Sequence, residues 1–434
     1  MRFLKKCILL AAVLIVPFFS YAQLDIEFEP MPASFDIDSP NPLYALDVNY
    51  DDIDLERQAF HLFLPDTTGT YPLVIYIHGG GFTGGSRSTV IQNPSRRANI
   101  KYFLDRGIAY ASIGYRLIST NQPDEEGVIK CLSDSKRALQ TIRYYADQLH
   151  IDPDRILLSG GSAGAGTSLW LATRDDMADP DSPDPVLQMS TRVCAAALSG
   201  SQSTYDIYKW ETEVYQNFDG QGTNYTLDSM ANLLSFDRLS NFYGGLDSIY
   251  QIAVDPVFIQ YREDVDMLFH MSADDPPLYF VNNSGAVLPS QDLFHHSFHG
   301  RTIYDNAIAA GIEEVKGSIP ALDFDTTEGE SMNEFIERQI ANCSSTTSTE
   351  TTPLTRNELT VYPNPASTQV WVDATTEPIE SLELYSMTGR LMLNEERLSA
   401  FSASLNTANL PKGMYVLSIV DGAGQHKLER LIIN

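Results

Sequence analysis

The sequence predicts a doubly wound, mostly parallel α/β sheet interrupted by an aromatic-rich insertion and followed by a small β-sandwich. Three observations carry that prediction. Apolar, strand-like runs alternate with helically spaced apolar residues between about residues 58 and 281. A glycine-bracketed serine, Gly160-Gly161-Ser162-Ala163-Gly164, stands between one such run and a helical pattern. Beyond a Ser/Thr run the helical spacing ends, and short alternating strands with turn signals take over.

The first 22 residues are read as a signal peptide. Arg2, Lys5 and Lys6 precede an apolar core over residues 7–19 and a small-residue cleavage site, Ser20-Tyr21-Ala22, so the mature chain is expected to begin at Gln23. The apolar run is too short to span a bilayer and contains Pro17, so no transmembrane segment is expected after cleavage. Losing its three basic residues takes the net charge from −28 to −31. A field of that sign repels nucleic acid and anionic membrane surfaces, and neither is expected as a partner.

The catalytic body is expected over residues 23–343. Residues 58–64 read as an early strand, closed by Pro65 and Asp66. Residues 73–77 and 108–113 are continuous apolar runs, suited to a sheet covered on both faces. Leu132, Ala138, Leu139, Ile142 and Tyr145 recur at helical spacing within residues 129–148. Residues 155–159 form the strand before Ser162, and residues 193–198 and 276–281 continue the alternation. Between them, residues from about 201 to 270 carry many aromatics and no clear strand. Such an insertion can form a lid or acyl pocket, or simply bury its own helices.

Chemistry is concentrated at two glycine-rich stretches. Gly160-Gly161-Ser162-Ala163-Gly164 fits G-x-S-x-G, the nucleophile elbow, whose glycines let strand and helix pack closely while the hydroxyl stands exposed. His78-Gly79-Gly80-Gly81 follows the strand at 73–77 and can present backbone N–H groups to a developing oxyanion. These stretches, with Gly114-Tyr115-Arg116-Leu117 and Ile151-Asp152-Pro153-Asp154-Arg155-Ile156, resemble the hormone-sensitive-lipase-like and carboxylesterase-like branch of the α/β-hydrolases over about residues 71–174. The resemblance implies hydrolysis of carboxylic esters through an acyl-enzyme on Ser162. It also implies an oxyanion hole from the amides of Gly79, Gly80 and Ala163, and structural roles for His78 and Arg116. No dinucleotide fingerprint, P-loop or metal-ligand spacing occurs, and no cofactor is expected.

A general base and an orienting carboxylate must complete the machinery. The family pattern calls for a late histidine, yet residues 300–342 contain none, and the corresponding stretch near 319–324 holds Asp323. The loop Asp292-Leu293-Phe294-His295-His296-Ser297-Phe298-His299 follows the strand at 276–281 and leads into a helix at 303–310. It can supply a relocated base, with His296 as first candidate, His295 and His299 as alternatives, and Asp292 or Asp323 as the acid. Two function classes follow: a secreted ester hydrolase, acting on small-molecule or polysaccharide-linked esters, or a degraded hydrolase fold kept for binding.

Three cysteines remain after signal cleavage, Cys131, Cys194 and Cys343, so at most one internal disulfide can form. Cys194 reads as a core residue of the strand at 193–198. Residues 344–353 read as a linker without large apolar residues. Beyond it, residues 354–434 suggest a β-sandwich. Val361-Tyr362-Pro363-Asn364-Pro365, Met387-Thr388-Gly389-Arg390 and Leu410-Pro411-Lys412-Gly413-Met414-Tyr415 resemble the C-terminal sorting domain of the Bacteroidetes type IX secretion system. That resemblance implies the type IX secretion machinery as partner and a secreted or cell-surface location.

Overall fold

The computed structural model describes residues 24–215, 225–285 and 293–343, and residues 360–433 apart from 363–365, 367, 375–377, 387–390, 409, 412 and 423–425. The signal-peptide segment, the Ser/Thr run and Asp292 lie outside the described residues. The chain divides into two compact units, residues 1–345 and 346–434.

The first unit is built on ten strands: β1 (Glu29–Pro30), β2 (Leu43–Asn49), β3 (Ala59–Leu64), β4 (Tyr71–Ile77), β5 (Ala109–Ile113), β6 (Ile151–Gly161), β7 (Ala196–Ser199), β8 (Leu278–Val281), β9 (Val315–Ile319) and β10 (Phe324–Asp325). Their order is β1-β2-β3-β5-β4-β6-β7-β8-β9-β10. The run β5-β4-β6-β7-β8-β9 is parallel, and the strands outside it pair antiparallel.

The apolar runs are continuous because helices cover both faces. Along β4, Leu73, Ile75 and Ile77 face a core shared with the helices Val128–Tyr144, Ala163–Ala172 and Ser297–Ala310. Val74 and Tyr76 face the opposite core, shared with the helices Pro94–Leu104 and Met332–Asn342. Cys194 departs from the core role its sequence suggested. It lies just before β7, half-buried, and forms a disulfide with Cys343 across 149 residues, leaving Cys131 as a buried free thiol among the described residues.

The insertion is helical, with Leu227–Leu234, Phe236–Phe242 and Pro256–Asp264 following a π-helical turn at Trp210–Tyr215. Its aromatics do both things the sequence allowed. Trp210, Tyr215 and Tyr243 bury a small core of their own, and Trp210 and Phe242 also wall a cavity at the site.

The second unit carries two antiparallel sheets. β11 (Thr360–Tyr362), β12 (Gln369–Asp373) and β15 (Ser402–Asn406) make one. β13 (Ile379–Ser386), β14 (Leu391–Ala400), β16 (Gly413–Asp421) and β17 (His426–Ile433) make the other. Val370, Val372 and Leu405 of the first share a core with Leu382, Leu384, Leu417 and Leu431 of the second, which is the sandwich the alternation predicts. Among the described residues no helix is long and apolar enough to cross a membrane.

Candidate active site

The site gathers at the carboxyl edge of the parallel strands, where β4, β6 and β7 end. Ser162 follows β6 directly and precedes the helix Ala163–Ala172. Its backbone is strained, with φ 55° and ψ −124°, a region that non-glycine residues enter only when the surroundings hold them there. Part of that hold is the Ser162 amide, which donates to the Ser199 carbonyl of β7 at 2.8 Å. The bracketing glycines are required by contact. A Cβ on Gly160 would lie 2.2 Å from the Gly164 carbonyl oxygen, and one on Gly164 would lie 2.0 Å from that of Ile77.

The loop after β4 is fixed from the opposite side. The Tyr115 hydroxyl donates to the His78 carbonyl at 2.8 Å, and the His78 ring stacks on Tyr115 with centroids 4.3 Å apart. Burial lowers the His78 pKa to about 4, so this ring is neutral at physiological pH. Gly80 turns the loop at φ +120°, where a Cβ would sit 2.2 Å from the Gly84 carbonyl. Among the described residues, the amides of Gly79, Gly80 and Ala163 donate to no backbone carbonyl. Gly80 and Ala163 line one cavity with Ser162, and Gly79 lines a second that also reaches Ser162. Arg116 is held by the buried Asp134 through its Nε and Nη2, which also accounts for its raised pKa, and it is remote in role from the serine.

The histidine at the serine is His295. Its Nε2 lies 2.7 Å from Ser162 Oγ. His296, the first candidate from sequence, turns the other way and does not meet the serine. It is fully buried, packs against Tyr215 and Phe298, and caps the helix Ser297–Ala310, its Nδ1 accepting from the Phe298 amide. The helix begins at Ser297 rather than near 303, which makes His296 its cap and leaves His295 as the last residue of a 3-10 turn, Leu293–His295. His299 is also buried in that helix, and burial lowers its pKa to about 3.

Sequence reasoning missed the residues that hold this turn. His299 Nε2 lies 2.9 Å from the Leu293 carbonyl, and its Nδ1 accepts from the Ser203 amide at 3.3 Å. The Tyr215 hydroxyl donates to the same Leu293 carbonyl, and Gln202 Nε2 donates to the Phe294 carbonyl. Asn282 Nδ2 donates to the His296 carbonyl at 3.1 Å. None of these belongs to a motif: Gln202, Ser203 and Tyr215 reach the turn from the insertion, Asn282 from the end of β8 and His299 from the following helix. Of the two acids, Asp292 lies outside the described residues. Asp323 is exposed, capping a 3-10 turn at φ 50°, and among the described residues its carboxylate has no hydrogen bond to a histidine.

Two cavities meet at Ser162 and His295. One, of about 270 Å³, is walled by Phe82, Trp210, Phe242 and Phe294, with Arg238 stacked on Phe294 at its rim. The other, of about 460 Å³, is the more polar of the two, and its lining includes Tyr76, Thr89, Arg96, Ser199 and Asn283.

Parts of the chain are similar to known proteins. The quorum-quenching protein AidA of Acinetobacter baumannii (strain MDR-ZJ06) is 31% identical over 139 residues, covering 31% of this chain and 41% of that protein. Esterase B1 of Culex pipiens is 29% identical over 102 residues, covering 22% and 18% respectively. The chain thus spans less than half the length of the curated relatives it matches. Among solved structures, a truncated carbohydrate esterase from gut microbiota aligns at 17% identity with a TM-score of 0.49, covering 69% of this chain and 96% of that one. Residues 60–247 match the BD-FAE family model, and residues 360–434 match that of the secretion system C-terminal sorting domain. The stretch 60–247 is thus similar to the BD-FAE esterases, and the stretch 360–434 to a type IX secretion sorting domain, which indicates export to the cell surface or beyond.

Proposed function

We propose that this chain is an exported serine hydrolase of carboxylic esters, with catalysis in the first unit and delivery through the type IX secretion machinery assigned to the second. The 2.7 Å approach of His295 Nε2 to Ser162 Oγ is the observation that carries the reading. In the reaction, His295 takes the Ser162 proton as the hydroxyl oxygen attacks the ester carbonyl. The amides of Gly79, Gly80 and Ala163 supply donors to the oxyanion. His295 then returns the proton to the departing alkoxide, leaving an acyl-enzyme that water cleaves by the same steps in reverse order. Asp292, three residues before His295, is the proposed orienting acid in preference to Asp323.

The aromatic cavity suits the acyl half of the ester. The polar cavity suits a hydroxyl-rich alcohol, such as a polysaccharide-linked one. The competing reading, a degraded fold retained for binding, rests on the missing late histidine, and the approach of His295 to Ser162 supports the hydrolase instead. The deciding measurement is labelling with an organophosphonate probe alongside a panel of short-chain, long-chain and aryl esters. The wild-type chain should be labelled and Ser162→Ala should not. Labelling that persists in Ser162→Ala would overturn Ser162 as the nucleophile, and inertness of the wild type toward probe and esters alike would favour the binding protein.

A further inference from the structure

We propose that the polar cavity beside Ser162 recognises a carboxylate on the alcohol half of the substrate through Arg96, so that acidic sugars are preferred over neutral ones. The proposal rests on the ester-hydrolase reading of Ser162 and names the substrate feature which that reading leaves open.

Arg96 stands in the first turn of the helix Pro94–Leu104, and its guanidinium lies 4.5 Å above the Tyr76 ring of β4. Both side chains reach the residue before the nucleophile. A Cβ on Gly161 would sit 3.1 Å from Arg96 Nη2 and 3.3 Å from the Tyr76 hydroxyl oxygen. Among the described residues the Arg96 guanidinium has no hydrogen-bonded or ion-paired acceptor, in a chain with 57 acidic residues against 29 basic ones. Nearby, Arg87 pairs with Asp47, Arg106 with Glu337 and Arg116 with Asp134, whereas Arg97 lies over Phe35 outside this cavity and Arg238 over Phe294 at the rim of the aromatic one.

A guanidinium lying over an aromatic face leaves its edge donors directed sideways, away from the ring. That is the geometry of bidentate carboxylate recognition. Further polar groups of the cavity, on Thr89, Ser199, Asn283 and Ser284, are neutral and suit the hydroxyls of a sugar. An anionic alcohol approaching this strongly acidic protein meets long-range repulsion, and Arg96 supplies the local compensation.

The test uses the full chain and two esters with one aromatic acyl group, the cinnamoyl esters of a methyl glucuronoside and of the matching methyl glucoside. A charged hydrogen-bond pair corresponds to roughly a 10- to 100-fold preference, so kcat/KM should favour the glucuronoside by about that factor in the wild type. Arg96→Ala should bring the ratio close to one, and Arg96→Lys should keep part of it, having the charge without the fork. A wild-type ratio of one or less, or a preference that survives Arg96→Ala, overturns the proposal. In parallel, calorimetry on Ser162→Ala measures binding of the two free glycosides. Glucuronoside binding that requires Arg96, without hydrolysis of any ester, would overturn the hydrolase reading alone. Hydrolysis of both esters without preference, and no Arg96-dependent binding, would overturn this proposal alone.

Discussion

Ser162 and His295 lie 133 residues apart in sequence, and a different local device holds each one. The serine is fixed by a strained turn whose glycines are demanded by contacts of 2.0–2.2 Å, so its position was legible in G-x-S-x-G alone. The histidine was legible only to the nearest loop. His295 and His296 are chemically identical, and which one faces the serine depends on where the 3-10 turn ends and the helix begins. That boundary is set by burial of His296 between Tyr215 and Phe298, a contact with the insertion that no short-range pattern encodes. The two substitutions should therefore separate cleanly. His295→Ala should lower kcat by about 10⁴- to 10⁶-fold with little change in thermal midpoint. His296→Ala removes a buried ring and a helix cap, so it should cost about 2–4 kcal/mol of stability while kcat of the folded protein stays within a few-fold. Steady-state kinetics paired with denaturant unfolding of both variants distinguishes the outcomes, and the reverse pattern would make His296 the base.

At the scale of elements, the strands and their covering helices were readable because burial on both faces writes a continuous apolar run, as along β4. The insertion was readable only as aromatic-rich, since its helices are short and bury much of their apolar surface against one another. The loop after β4 carries the sharpest expectation. Gly80→Ala adds a Cβ at φ +120°, 2.2 Å from the Gly84 carbonyl, and must re-aim the loop's amides. Loss of one oxyanion donor costs about 2.7–4 kcal/mol in the transition state, so kcat should fall about 10²- to 10³-fold with KM little changed. A change confined to KM would show that the loop only shapes the cavity. The disulfide joins the approach to β7 with the end of the helix Met332–Asn342 and closes a span of 149 residues. The apolar run around Cys194 concealed it, because strand and core readings fit the same residues. Reduction, or Cys194→Ala with Cys343→Ala, should lower unfolding stability by about 2–5 kcal/mol, measured as the urea midpoint with and without reductant. An unchanged midpoint would mean the bridge constrains nothing beyond what packing already fixes.

For the whole molecule, charge governs behaviour in acid. Of the 57 acidic residues most are solvated, but three histidines of the first unit are held neutral inside it. Burial lowers the pKa of His61 and His78 to about 4 and that of His299 to about 3. In the unfolded chain the same rings take up protons below about 6.5. Between those limits the unfolded state binds more protons than the native one, so the stability given by the neutral rings is complete above about pH 6.5 and drains away as the pH falls toward 4. Asp275 acts in the opposite sense. Burial raises its pKa to about 6, so its contribution is present at low pH and lost as the pH rises through 6. For these four groups, three protons against one leave a net uptake of about two on unfolding near pH 5, or about 3 kcal/mol of stability lost per pH unit. The expected result is a urea midpoint that is flat from pH 8 to 7 and falls steeply from 6 to 4, with His61→Asn giving a shallower slope than wild type. A flat midpoint down to pH 4 would mean that these rings are solvated or paired in solution, and that the packing around the Leu293–His295 turn is looser than the burial of His299 implies.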